Sequence, residues 1–427
     1  MKKILLLFVF SFAAAALYAQ GIETNEAKEL KEKLRKVTFK VGGRIDARFS
    51  YDTYQSVTSR DGILYFFPKA PQFDRLGSDL NKEGELNFNL YSSRINLSVA
   101  GFRGLGADMS VFIEGDFMGS TTNYLQMFRL RHAYFKMVWP KNELLIGQTS
   151  HLTYVDEMQP NTVFFAGGVP FNSLNRGPQI RYTRVFSPNV KLLVAAEMYG
   201  GHNSVGPSDA QRKAAIPDMQ VQMKFGNPDR VFGGFTVGYK FLKPRSVDND
   251  GLKINKRVGS FDVNAFLQFI LEGYQFQLWG IYGQNLSMLN MIGGYGKLLS
   301  DPTGGNYDYA NTSTLSAWFD FQTPTFKGLQ FGFFAGYQKN FGSNKPMDLA
   351  EKDGVFQYGY FRDCNVTWFN RLSPRVYYYA TKNLSFGIEY SYSVASWGET
   401  FNAYYEAEKS YPTSHNNRIE VLARFAF

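Results

Sequence analysis

Residues 38–51 alternate between apolar and polar side chains with a period of two. The first set is Phe39, Val41, Gly43, Ile45, Ala47, Phe49 and Tyr51. The second set includes Lys40, Arg44, Asp46, Arg48 and Ser50. A period of two places the sets on opposite faces of a β-strand. Because several charges on one strand face do not suit a soluble core, the pattern predicts a strand with one face toward lipid and the other toward water.

The same alternation recurs along the chain. It is regular at 86–99 (with a phase shift near Ser92, interpreted as a bulge), 107–117, 219–225, 384–394 and 417–427. Less regular strands are predicted near 125–137, 143–150, 178–186, 190–200, 231–242, 257–270, 274–284, 314–322, 330–339 and 366–380. Short connections alternate with mostly long ones, as expected for short periplasmic turns and long outer loops. The sequence predicts an all-β fold, a transmembrane antiparallel up-and-down β-barrel of about sixteen strands.

Composition favours a membrane β-barrel over a soluble domain and over a helical membrane protein. Aromatic residues make up 17% of the chain, and a barrel places such rings on its lipid face and at both interfaces. Charged residues make up 19%, below the roughly 25% of soluble domains. After the first residues no apolar run approaches the roughly 20 residues that a membrane helix needs. A helical membrane protein is therefore excluded.

The first residues are typical of an export signal. Lys2 and Lys3 precede an apolar run over 4–17, and Ala19 is a plausible cleavage residue. We therefore predict a signal peptide over 1–19 and the barrel over 38–427. Residues 20–37 between them are predicted to form a short periplasmic helical leader. That N-terminal helix is either a solvated segment or a small coiled coil in an oligomer.

Five short segments resemble a known group of barrels. They are residues 90–95 (LYSSRI), 113–117 (IEGDF), 129–134 (RLRHAY), 146–149 (IGQT) and 178–182 (PQIRY). In this order they resemble the DcaP-like and phosphate-selective (OprO/OprP-type) trimeric porins, Bacteroidota type, over roughly residues 38–186. The resemblance implies a sixteen-stranded homotrimer in the outer membrane of a Gram-negative bacterium, in contact with its lipid, that admits small and often anionic solutes.

We therefore expect an outer-membrane porin, a passive diffusion channel for small polar solutes with a moderate anion preference. One alternative is a substrate-specific anion channel for phosphate or a dicarboxylate, and another is a non-transport structural or adhesive barrel. The four histidines lie in no nucleophile elbow or metal-binding spacing, so we expect no catalytic residues, no metal and no cofactor. The net charge of +9 does not indicate nucleic acid, which an exported chain does not meet.

The candidate site is a basic wall along the pore. Eight residues fall on the lumen-facing or more polar face of their strands: Lys40, Arg44, Arg48, Arg94, Arg129, Arg131, Arg181 and Arg424. Guanidinium groups bind carboxylate and phosphate in a fork geometry, so this wall would favour anions. The alternative is that these residues form stiffening ion pairs with Asp46, Asp108, Glu114, Asp116, Glu389 and Glu420. Lys224 is a further candidate, and the facing of Arg371 and Arg375 beside Pro374 is open.

The connection 151–177 is the candidate constriction. In the porins that the chain resembles, the corresponding loop folds into the barrel and narrows it. Here it contains Phe164, Phe165 and Phe171, which need burial, and its acids Asp156 and Glu157 could face the basic wall. The alternative is a loop that covers the outer mouth or packs at a subunit contact.

Overall fold

The computed structural model describes residues 37–165, 167–301, 305, 307–352 and 355–427. The predicted signal peptide and all but the last residue of the predicted helical leader lie outside these ranges.

Twenty-four strands are described. In chain order they are β1 (Thr38–Asp52), β2 (Ser56–Ser59), β3 (Leu64–Pro68), β4 (Glu85–Asn89), β5 (Arg94–Gly104), β6 (Ala107–Asp116), β7 (Arg129–Trp139), β8 (Asn142–Ser150), β9 (Arg176–Ser187), β10 (Val190–Glu197), β11 (Asp218–Gly226), β12 (Val231–Leu242), β13 (Val258–Leu271), β14 (Tyr274–Gln284), β15 (Gly293–Lys297), β16 (Tyr309–Gln322), β17 (Leu329–Ser343), β18 (Glu351–Lys352), β19 (Val355–Phe356), β20 (Gly359–Arg362), β21 (Val366–Tyr379), β22 (Leu384–Phe401), β23 (Ala407–Ser410) and β24 (Ser414–Ala426). One short α-helix, α1 (Ala210–Ala214), and three 3-10 turns, Thr122–Tyr124, Asp156–Met158 and Leu286–Leu289, lie in the connections.

Within the described residues, a closed antiparallel barrel of sixteen strands confirms the predicted fold class. Its strands are all those above except β2, β3, β15, β18, β19, β20 and β23, with β4 and β5 counted as one. Closure is made by β1, which pairs with β24 from Arg44↔Ala426 to Asp52↔Arg418 and on its other side with β4 and β5. Residues 90–93 interrupt the second barrel strand, where the phase shift near Ser92 was predicted.

The two faces of β1 have the predicted environments. Phe39 and Val41 on the outer face are 64% and 67% exposed, whereas Asp46 and Arg48 on the inner face are 0% and 4% exposed. Among the described residues, no helix is both long and apolar enough to span a bilayer.

Strands β12–β17 depart from the expected polar inner face. Five aromatic side chains face inward there and are almost fully buried: Phe232, Phe266, Trp279, Trp318 and Phe334. The rings of Trp279 and Trp318 lie 6.1 Å apart and nearly parallel, at 10°. Apolar rings can face inward at these positions because segments folded into the barrel, rather than water, cover them.

Three connections supply that cover. They are the β2–β3 hairpin, the loop between β8 and β9, and the turn at Leu286–Leu289, all of which share one buried apolar cluster with the inner aromatic residues. The hairpin lies in the connection between β1 and β4, one of the long connections that the sequence predicts only as outer loops. The described barrel is thus packed with side chains on one side of its interior.

Candidate functional site

The loop between β8 and β9 is fixed at its root by the barrel wall. The backbone N–H of Leu152 donates to Glu197 Oε1 at 3.3 Å, and Gln222 Nε2 donates to the Leu152 carbonyl at 2.8 Å. Trp279 Nε1 donates to the carbonyl of Thr153 at 3.1 Å. Residues 151–153 are therefore held to three separate strands.

The tip of the same loop is held by three more strands. Three consecutive carbonyls, those of Val169, Pro170 and Phe171, accept hydrogen bonds from Arg371 at 3.2 Å, Gln338 at 3.2 Å and Ser316 at 2.8 Å respectively. The three phenylalanines of the loop, Phe164, Phe165 and Phe171, are 3%, 4% and 0% exposed. This geometry places the loop against the inner wall of the barrel.

The two acids of the loop face basic residues of the wall. Both carboxylate oxygens of Glu157 accept from Lys224 Nζ at 2.8 Å. Asp156 forms no ion pair with a described residue, and its main oppositely charged neighbours are Arg181 and Lys224. Both acids remain exposed to the interior.

Part of the predicted basic wall forms a paired cluster where β1 meets β24. Asp46 lies 3.1 Å from Arg44 Nε and 2.7 Å from Arg424 Nε. Arg48 pairs with Glu420 at 2.8 Å and also donates to the carbonyl of Val163 in the loop. These residues therefore serve both as mutual ion pairs and as a loop contact.

A second paired cluster lies on β5, β6 and β7. Asp116 binds Arg129 at 2.6 Å and Arg131 at 2.9 Å. Glu114 binds Arg131 at 2.6 Å and lies 3.7 Å from Arg94. Ion pairing, the alternative reading of the wall, accounts for six of its eight members in the described structure.

The remaining two members of the wall have other environments. Arg181 donates to Gln179 Oε1 at 2.9 Å and to the Ser150 carbonyl at 2.6 Å, and has no ion pair with a described residue. Lys40 lies near the start of β1 and is exposed. Of the acids that were candidates for pairing, Asp108 on β6 instead pairs with the exposed Arg103 on β5 at 2.7 Å, beside the short turn between these strands.

A cavity of about 30 Å³ lies between the wall and the infolded segments, with room for roughly two water molecules. Its lining includes Arg94, Arg129, Arg131, Arg176, Leu64, Tyr154, Phe165 and His202. The carboxylates that pair with these arginines are those of Asp116 and Glu114. Four guanidinium groups thus face two carboxylates, and the cavity carries an excess of positive charge.

Arg176 is the least compensated of the four. Its Nε donates to His132 Nε2 at 3.2 Å, and it forms no ion pair with a described residue. Burial, followed by the charges of Arg362 and Arg60, lowers the pKa of His202 well below its ordinary value. The His202 ring is therefore neutral at pH 7, and the excess positive charge of the cavity comes from the arginines.

Several inner arginines lie outside the basic wall that the sequence predicts. Arg176 begins β9 and falls within the predicted loop 151–177, Arg418 on β24 is buried beside Asp52, and the facing of Arg371 and Arg375 is open in the sequence because of Pro374. The signal was present in the alternation of β21, where Arg371 and Arg375 share the odd-numbered face and Leu372 and Val376 the other. Both arginines lie inside the barrel and are 1% and 4% exposed.

Sixteen closed antiparallel strands, an apolar outer band and a charged interior with an infolded loop define an outer-membrane porin. The model of the family described as DcaP outer membrane protein matches residues 13–241, and the chain belongs to that family. Its location is the outer membrane of a Gram-negative bacterium. No curated protein sequence matches the chain significantly.

Solved structures share the fold at low sequence identity. The outer membrane channel DcaP of Acinetobacter baumannii has a TM-score of 0.65 and 15% identity, over 92% of this chain and 98% of that chain. The trimer form of OmpT of Vibrio cholerae has a TM-score of 0.56 and 9% identity, over 92% and 99%. The anion-selective porin of Comamonas acidovorans has a TM-score of 0.54 and 9% identity, over 92% and 100%.

Proposed function

We propose that this porin is a passive diffusion channel for small polar solutes with a moderate preference for anions. The observation that carries the proposal is the excess of guanidinium groups over carboxylates around the inner cavity. Charges that line the narrowest part of a pore govern its selectivity. Arg176 and Arg181, which have no carboxylate partner among the described residues, supply the charge available to a passing anion.

The loop between β8 and β9 would be the constriction that brings solutes close to those charges. Its support is the set of hydrogen bonds that hold both its root and its tip to the wall. Asp156 and Glu157 would then face the solute path from the loop side and moderate the anion preference. Such a pore discriminates by charge without excluding every cation.

The test is the reversal potential of single channels across a salt gradient. The wild type should show a moderate anion preference, and Arg176→Gln should reduce it because the variant removes an uncompensated positive charge. The matched control is Arg103→Gln, an exposed residue near the end of β5 opposite to Arg94, which should leave the reversal potential unchanged. Cation selectivity of the wild-type channel would refute the proposal.

A substrate-specific channel for phosphate or a dicarboxylate is the second candidate. The observation that favours it is the grouping of four guanidinium groups around one small cavity, since guanidinium groups bind carboxylate and phosphate in a fork geometry. Liposome swelling separates the two functions. A general pore admits neutral and anionic solutes according to size, whereas a specific channel admits one anion far faster than neutral solutes of equal size.

We also propose that the porin is a homotrimer. The support is its likeness to porin structures that include a trimer form. Native mass spectrometry of the detergent-solubilised protein should give three times the mass of the mature chain. A monomeric mass that persists across several mild detergents would contradict the proposal.

A further inference from the structure

Arg371 occupies an unusual place inside the barrel. It projects inward from β21 and is one of the largest side chains with almost no exposed surface, at 1%. No described carboxylate forms an ion pair with it, and its Nε has no hydrogen-bond partner in the described structure. An isolated buried cation is costly unless other groups stabilise it, so the partners of this guanidinium define what it does.

Those partners belong to two different infolded segments. One terminal nitrogen, Nη1, donates to the carbonyl of Val169 in the loop between β8 and β9, at 3.2 Å. The other, Nη2, donates to the carbonyls of Tyr65 at 3.2 Å and Phe66 at 2.9 Å in the β2–β3 hairpin. The fork of one guanidinium group thus joins two segments that are about a hundred residues apart in sequence.

Aromatic rings of the same two segments enclose the guanidinium group. Its Cζ lies 4.6 Å from the ring centre of Tyr65, 4.5 Å from that of Phe164 and 5.3 Å from that of Phe171. At these distances each ring attracts the cation. The rings of Tyr65 and Phe164 meet edge to face at 6.3 Å, so the two segments touch each other around the arginine.

The neighbouring wall is shaped to receive the loop tip. A Cβ atom at Gly336 would lie 2.3 Å from Cδ2 of Phe171, and one at Gly168 would lie 2.6 Å from the ring of Phe334. Only glycine leaves room for the loop at these two positions. The surface that receives the loop tip is therefore part of the barrel wall. Arg371 lies beside this surface, since Gly336 pairs directly with Arg371.

We infer that Arg371 is a positioning residue that joins the β2–β3 hairpin and the tip of the loop between β8 and β9 into a single constriction. The inference rests on the proposed function, because it assigns the narrowing of the pore to two loops instead of one. Without the guanidinium fork the hairpin and the loop keep their other contacts, such as the ring contact between Tyr65 and Phe164, but lose the hydrogen bonds that join their backbones. Each segment then moves more freely against the wall. The pore then widens although no residue of either loop has changed.

Single-channel conductance tests the inference in two variants. Arg371→Met removes the charge and the donors, and Arg371→Lys keeps the charge but loses the fork. Both should conduct more than the wild type, by about two-fold for the methionine variant, with a noisier open state. The surface variant Arg103→Lys is the matched control. Migration of unheated samples in gels shows whether each variant forms a folded barrel. If the methionine variant does not fold, the conductance of the lysine variant tests the inference.

A crosslink supplies a readout that does not depend on conduction. Tyr65→Cys and Phe164→Cys, introduced together, should be joined by a short bifunctional thiol reagent in the parent protein. The crosslink should form several-fold more slowly when Arg371→Met is added. Once formed, it should return the conductance of that triple variant to the parental value, which a general loss of stability would not do.

The outcomes separate this inference from the proposed function. Equal crosslinking rates with and without Arg371→Met, or wild-type conductance in both folded variants, would overturn the inference and leave the porin function intact. A wild-type protein that forms no channels would overturn the proposed function, while the crosslinking rates would still decide whether Arg371 joins the two segments.

Discussion

Replacing Gly332 with alanine should break an ion pair in which neither partner is changed. Arg375 on β21 reaches across β17 to Asp320 on β16, and its two terminal nitrogens each donate to one carboxylate oxygen at 2.8 Å. The guanidinium group passes directly over Gly332, where an added Cβ would lie 2.5 Å from Cζ of Arg375. The flexible end of the arginine must then move, and both hydrogen bonds are lost.

The magnitude follows from the burial of the pair. The side chains of Arg375 and Asp320 are 1% and 0% exposed, and removing one partner of such a buried pair costs about 3–5 kcal/mol, which is the upper limit for displacing the arginine. Alanine is itself favoured over glycine in a strand by roughly 0.5–1 kcal/mol. We therefore expect the Gly332→Ala variant to lose up to about 4 kcal/mol of the free energy of unfolding.

Reversible denaturant unfolding in phospholipid vesicles, followed by tryptophan fluorescence, measures this loss. Gly280→Ala is the matched control, because its added Cβ would have no described neighbour closer than 3.6 Å. The second control is Gly332→Ala in a background of Asp320→Asn and Arg375→Met, where the substitution should cost almost nothing. The reasoning is refuted if Gly332→Ala matches Gly280→Ala, or if its loss persists in the background without the pair.

Two further predictions concern buried titratable groups in the connections. Burial would lower the pKa of His151, but the charges of Glu197 and Asp218 outweigh it and raise this pKa from its ordinary value of 6.5 to about 9. The raised pKa stabilises the folded protein fully below the unfolded pKa, and that stabilisation is lost as pH rises through 9. The unfolding free energy of the wild type should therefore fall by roughly 3 kcal/mol more than that of His151→Gln between pH 6 and 10. Equal falls in the two proteins would contradict this prediction. Burial also raises the pKa of the Cys364 thiol to about 12. Mass spectrometry should therefore find the folded protein unlabelled by iodoacetamide at pH 8 and the denatured protein fully labelled. Rapid labelling of the folded protein would contradict this prediction, because it would show that the thiol is accessible.

The alternation of side chains was sufficient to predict the barrel. Each strand of a membrane barrel meets lipid on one face, so residues such as Phe39 and Val41 carry the signal without information from the rest of the chain. The even strand number and the alternation of short and long connections followed from the same pattern. These are local properties, and a single sequence contains them.

The interior was less predictable, because it depends on which segments fold into it. Trp279 and Trp318 face inward since the loop between β8 and β9 covers them, and no local pattern shows that contact. The position of Arg371 could have been inferred from the alternation in β21, but its partners in the β2–β3 hairpin could not. The excess charge of Arg176 likewise depends on which carboxylates lie near it in three dimensions.

The seam between β1 and β24 has a consequence for how the molecule assembles. The ion pair of Asp46 with Arg424 joins residues 378 positions apart, so these strands meet only after nearly all the intervening hairpins exist. Each doubling of the separation adds only about 0.6 kcal/mol to the entropy of ring closure. Closing the cylinder is therefore late rather than thermodynamically difficult, and an intermediate awaiting that step presents two unpaired strand edges to any other chain nearby.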